Sequence, residues 1–152
     1  METLFNDLQN HLAAKFSERI ALIDEDYGQL EALVNGEDQY PVTFPCILIG
    51  LPQVTWKDLK PGIQQGSVNL TVRLAFDCYD DTHYASTQES HATERMAMAK
   101  ELNTCIHGWI FGECCSDMVR ISSQQSTFPG GIKVYSHTYT AKVEEKTEQS
   151  SE

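Results

Sequence analysis

The chain has 152 residues, 41% hydrophobic and 22% charged, with a formal net charge of −11. That length fits one domain with a real core, and the acidity, without any run of Lys or Arg, argues against tight nucleic-acid binding because phosphates are repelled. No stretch reaches the ~18 apolar residues of a membrane span, the first residues lack a signal-peptide pattern, and five cysteines cannot all pair, so a cytosolic protein with free thiols and no membrane partner is expected.

Leu4, Leu8, Leu12 and Phe16 recur every four residues, with Phe5 beside them. This spacing predicts an amphipathic helix over 2–18. A short apolar run, Ile20 to Ile23, then meets "DEDYGQLEALVNGED", 24–38, which is acidic, contains Gly28 and Gly36, and reads mostly as loop.

"YPVTFPCILIG", 40–50, is a strand candidate whose continuous apolar run predicts burial on both faces. Pro41 and Pro45 restrict their neighbours to a strand edge or start. The chain then continues outward through Trp56 and Lys57 and turns at Pro61 and Gly62. Over 67–78 Val68, Leu70, Val72, Leu74, Phe76 and Cys78 alternate with more polar neighbours, which predicts a long half-buried strand in a hairpin with the preceding one.

Ser86 with Glu89 three residues later fits a capping box, opening a second helix over 87–107. Met98, Leu102, Cys105, Ile106 and Trp109 fall on one face, and Gly108 is a natural stop. Two closing strands are expected over 118–123 and 132–143, joined by "QQSTFPGG". Tyr135, His137, Tyr139, Ala141 and Val143 share one face of the last. The expected fold is therefore α+β, an antiparallel sheet of about four strands packed on two helices, in the order α-β-β-α-β-β. A domain over 1–145 is followed by a disordered polar tail at 146–152.

"CIHGWIFGECC", 105–115, is the stretch that most resembles chemistry. Zinc sites use paired short-spaced thiolates and imidazoles; here Cys114 and Cys115 are adjacent, and no second unit of the C-x2-C or H-x3-H kind exists. Cys105 falls on the apolar helix face, where a thiol packs as a small hydrophobe. Cys46, inside "PCILIG", sits where a thiol is inert rather than activated. His11, His83, His91, His107 and His137 are scattered, and no phosphate-loop or nucleophile-elbow motif occurs. The expectation is no catalytic, cofactor or metal residue. The alternative is a small cytosolic ligand-binding or enzymatic α+β domain, with a generic adaptor acting through the acidic loop as a third possibility. Trp56 in a polar connection, and Trp109, Ile110 and Phe111 past a helix end, are candidates for protein contact or for plain cover of the sheet end.

The order of elements, with "YPVTFPCILIG", "SVNLTVRLAFDCYDD", the capped helix ending in "CIHGW" and the closing "GIKVYSHTYTAKVEE", resembles the tail terminator and tail-completion proteins of long-tailed phages and related prophage or tail-like particles. The resemblance spans 2–145 and rests on architecture plus short stretches. It implies a structural, non-enzymatic protein without cofactors. Such a protein self-associates into a ring, usually a hexamer, that caps the tail tube protein and meets the head-tail connector protein. It implies assembly in the host cytoplasm and residence in the virion tail. Two different patches per subunit must then meet. The hairpin over 56–66 and the loop over 128–131 are the expected surfaces, with Trp56, Lys57, Phe111 and Phe128 as candidate subunit-interface residues.

Overall fold

The computed structural model describes residues 1–36, 42–78 and 86–147, with side chains left aside over 86–90. The chain runs α1 (Glu2–Phe16), β1 (Leu22–Glu25), α2 (Gln29–Val34), β2 (Cys46–Ile49), β3 (Gln53–Lys60), β4 (Ile63–Asp77), α3 (Ser86–Ile106), β5 (Val119–Phe128) and β6 (Ile132–Lys146). The α+β class is as expected. The sheet is larger, with six strands in the order β1-β2-β4-β6-β5 and β3 also paired to β4.

It is also mixed rather than antiparallel, because β1 pairs parallel with β2, Leu22 opposite Cys46 and Glu25 opposite Ile49. Parallel neighbours need a crossover connection, and the segment containing α2 supplies it. The acidic composition of 24–38 hid both elements. Asp24 and Glu25 mask the end of a four-residue strand, and α2 is too short to show a helical period. Inside that supposed loop Leu30 and Ala32 are buried. The Gln29 side-chain amide is tied on both sides, donating to the Glu25 carbonyl and accepting from the Tyr27 N–H.

β4 is the spine. It pairs with β6 from Ile63 opposite Lys146 to Asp77 opposite Ile132. Its other edge is shared, with β2 along 72–75 and β3 along 63–69. The alternation in β4 places Val68, Leu70, Val72, Leu74 and Phe76 on one sheet face. There they pack with Tyr135, Tyr139, Ala141 and Val143 of β6 against Leu4, Leu8, Leu12 and Phe16 of α1 and Leu102, Cys105 and Ile106 of α3. The opposite face has a smaller core of Leu30, Cys46, Leu48, Ala75, Ile132 and Val134. Cys46–Ile49 is buried at every position because its alternating side chains enter the two cores in turn.

Two boundaries move. β5 continues through "SSQQSTF" to Phe128, so the expected 124–131 loop shrinks to the residues between Phe128 and Ile132. Serine, glutamine and threonine line an exposed edge strand, where no apolar alternation is needed. Lys146, the first residue of the expected tail, still pairs with Ile63 at the end of β6; residues 148–152 lie outside the described residues. So do the side chains of the Ser86–Glu89 capping box, and His83.

Candidate subunit interfaces

The stretch 105–115 reverses the chain and docks it on α1. α3 ends at Ile106, and Gly108 takes φ +87°, a conformation that costs a side-chain-bearing residue energy but glycine none. The Gly108 N–H donates to the Met118 carbonyl, and the Met118 N–H returns a bond to the Trp109 carbonyl. The helix face therefore stops before Trp109, which is 51% exposed instead of continuing the core, with Ile110 at 60%. Phe111 turns inward and is only 3% exposed. It meets the His11 ring edge-on at 5.3 Å, while Trp109 lies 4.5 Å from the same ring. His11 is fixed by donating from Nε2 to the Cys105 carbonyl at 2.8 Å, since a carbonyl can only accept. Phe111 is thus a core residue of the fold, and Trp109 and Ile110 form the outward pair.

Beyond Phe111, the Glu113 carboxylate accepts from the Leu4 N–H at 2.8 Å, the Thr3 N–H at 3.3 Å and the Met1 ammonium at 2.8 Å. It caps the first turn of α1, which no side chain of its own caps. Partial burial works against the charge, and these bonds outweigh it, holding the carboxyl down to about 2. Cys114 is buried beside β6, whereas Cys115 is exposed.

The hairpin of β3 and β4 projects Trp56 (37% exposed), Lys57 and Leu59 to the surface. Lys57 lies opposite Gln65. Phe128 is half-buried at the end of β5, where it packs on the smaller core. Of the four candidate interface residues, Trp56 and Lys57 are exposed together, Phe128 is partly covered and Phe111 is covered. The fold does not bring all four to one surface.

The exposed large apolar side chains among the described residues divide between the two sides of the sheet. Met96, Trp109, Ile110, Val119 and Ile121 lie on α3, just past it, and on the edge strand β5. Tyr27, Leu33, Leu51, Trp56 and Leu59 lie on the β1, α2 and β3 side. Ile121 is exposed where the β5–β6 register slips between Arg120 and Ser122, a bulge that turns an apolar side chain outward.

The charges divide too. An open cavity of about 430 Å³ between α3 and β5 is lined by Met96, Lys100, Asn103, Arg120, Ser123 and His137, among others. A neighbouring hollow adds Arg95 and Lys133. Four of the chain's 11 cations thus meet along one groove, although they are scattered over 95–133 in the sequence. Its floor is set by His137, whose Nε2 donates to the Ala99 carbonyl at 2.9 Å while Nδ1 meets the Ser123 hydroxyl at 3.1 Å. Burial, with nearby Arg120, lowers the His137 pKa against the opposing Ala99 bond, which favours the neutral ring. On the opposite side Asp24, Glu25, Asp26 and Glu31 gather around β1 and α2. Arg73 joins Asp26 at 2.7 Å and Glu31 at 2.8 Å. The signal for the groove that the sequence did hold is the polar face of α3 with its lysine, opposite a strand too polar to be core.

As for nucleophiles, burial pushes the Cys46 thiol up to about 12, and also raises Cys105 and Cys114. This is the reverse of activation.

No protein-family model matches the chain, and no curated protein matches it. Among solved structures it is similar to a chain in the virion of a native gene transfer agent particle, with a TM-score of 0.63 and 12% sequence identity over 94% of this chain and 96% of that one. At that identity the likeness establishes a shared fold.

Proposed function

We propose that this protein is a structural component of a phage-like particle, and within it a ring-forming tail terminator. The observation that carries the reading is the end-to-end likeness in fold to a gene transfer agent virion chain. Nearly the whole of each chain takes part, so the likeness is not that of a common motif inside a larger enzyme. The resemblance in element order to tail terminators supplies the finer role: a ring, hexameric by that resemblance, that caps the tail tube protein and meets the head-tail connector protein.

The surfaces support the same reading. A ring requires two different patches on each subunit, and exposed apolar side chains stand on both sides of the sheet. Trp56 and Lys57 belong to one side; the turn after Phe128 belongs to the other. Buried, raised thiols favour a non-catalytic role over the alternative of a small enzymatic domain. The acidic balance of −11 suits a bore through which DNA passes without sticking.

The test adds purified protein to tail tubes assembled without it and examines the tube ends by electron microscopy. A ring at one end, with tube growth halted there, is the expected result. Bare ends and unchanged elongation at saturating protein would remove the reading.

A further inference from the structure

The opposed charge on the two sides of the sheet has a geometrical meaning if copies meet side to side, as the ring reading above requires. We infer that the α3–β5 groove of one copy receives the β1–α2 edge of the next copy. The groove side is cationic. Lys100 and Arg120 form no ion pair among the described residues, and Lys133 makes only a 3.5 Å contact to the Thr127 hydroxyl. The receiving cavity has room for side chains, about 430 Å³.

The opposite edge is its complement. Glu31 on α2 is exposed and Glu25 on β1 is half-buried, with Tyr27 and Leu33 exposed beside them. Arg73 neutralises only part of this acidity, because it spans Asp26 and Glu31 and leaves Asp24 and Glu25 without an ion pair among the described residues. β1 and β5 are the two ends of the sheet order. A contact between them is therefore head-to-tail and generates a ring or a filament rather than a closed pair. Apolar groups on both sides supply the affinity, and the charges fix register and reject the reversed approach. In so acidic a chain, two copies otherwise repel, so gathering cations on one edge is what makes self-contact favourable.

The experiment compares wild type with a groove variant, Lys100→Glu with Arg120→Glu, and an edge variant, Glu25→Lys with Glu31→Lys. Each is first checked for its melting transition. Assembly is followed by sedimentation velocity over a concentration series and by ring formation on tail tubes. Each variant alone is expected to associate at least tenfold more weakly. An equal mixture is expected to recover to within about threefold of wild type, because each altered groove meets an altered edge and each native groove a native edge. Carbodiimide coupling of wild type, which needs no variant to fold, is expected to join Lys100 or Lys133 to Glu25 or Glu31 between copies, and to fade with added salt. Variants that assemble like wild type, a mixture that does not recover, or couplings that avoid these residues overturn the inference and leave the ring reading intact. A wild type that stays monomeric both free and on tubes overturns both.

Discussion

Trp56 lies directly across from Gly66 in the β3–β4 ladder, and its ring carbon Cε3 would be 3.0 Å from a Cβ placed on that glycine. Val54 and Val143 close in from the other sides at 2.6 and 2.9 Å. Gly66 is thus a deliberate gap in the pleat that the indole fills, in the manner of aromatic rescue of strand glycines. This accounts for a large aromatic in an otherwise polar hairpin. Gly66→Ala is expected to destabilise the fold by about 1–3 kcal/mol through overpacking and to shift Trp56 fluorescence. A variant with unchanged urea midpoint and emission would refute this packing.

Glu113 ties the chain after α3 to the start of α1. Its folded pKa, about 2, lies below the ordinary glutamate value of about 4.3. Its stabilisation is therefore complete above pH ~4.3 and is lost as pH falls toward ~2. The side chain is 34% exposed, so solvent screening reduces the effect. Glu113→Gln is expected to cost about 1 kcal/mol at neutral pH, comparable to losing a helix cap. It should also flatten the loss of stability between pH 5 and 2. Denaturant titrations at a series of pH values read both quantities.

Arg73 clamps β4 to the β1–α2 crossover. Its charge is opposed by burial but favoured more strongly by hydrogen bonds to Glu31 and Asp26, and its pKa is raised. The Asp26 side chain is only 15% exposed, so removing Arg73 leaves a carboxylate poorly solvated. Arg73→Met is expected to cost about 2–3 kcal/mol, whereas Glu31→Gln, at a carboxylate 53% exposed, costs under about 1 kcal/mol. Equal losses for the two variants in chemical denaturation would contradict this ranking.

The five cysteines differ sharply in access. Cys115 is exposed, while Cys46, Cys78, Cys105 and Cys114 are buried. One thiol per chain is expected to react promptly with Ellman's reagent in the native protein, and five in denaturant. Cys115→Ser should abolish the prompt reaction. Rapid labelling of Cys46 would show that its strand opens far more readily than a strand buried on both faces should.

Periodicity was legible wherever one face of an element met the core. The four-residue stripe of α1, the alternation of β4, and Tyr135, His137 and Tyr139 in β6 all stand where spacing puts them. What stayed hidden was structure with little or no pattern to show. β1 has four residues and α2 six, too few to display a period. β5 is an exposed polar edge strand, so its length could not be read from apolar alternation. At the candidate interface, Trp56 and Lys57 were legible as a polar connection carrying an aromatic. Phe111 was not, because its burial depends on the reversal after Gly108, which carries it onto His11 on a distant helix. The convergence of the groove cations was not legible for a related reason: only the packing of α3 beside β5 and β6 brings Lys100, Arg120 and Lys133 together.

The shared edge of β4 also has a mechanical side. One strand carries β2 on its second half and the projecting β3 on its first, with β6 running alongside both for the full fifteen residues. A force on the hairpin along the strand direction reaches the body through β4 itself. The ladder bonds lie across that direction, so they are strained together in shear instead of parting one after another. The hairpin is joined to the rest of the molecule as a splice is joined to a rope, by overlap along its length.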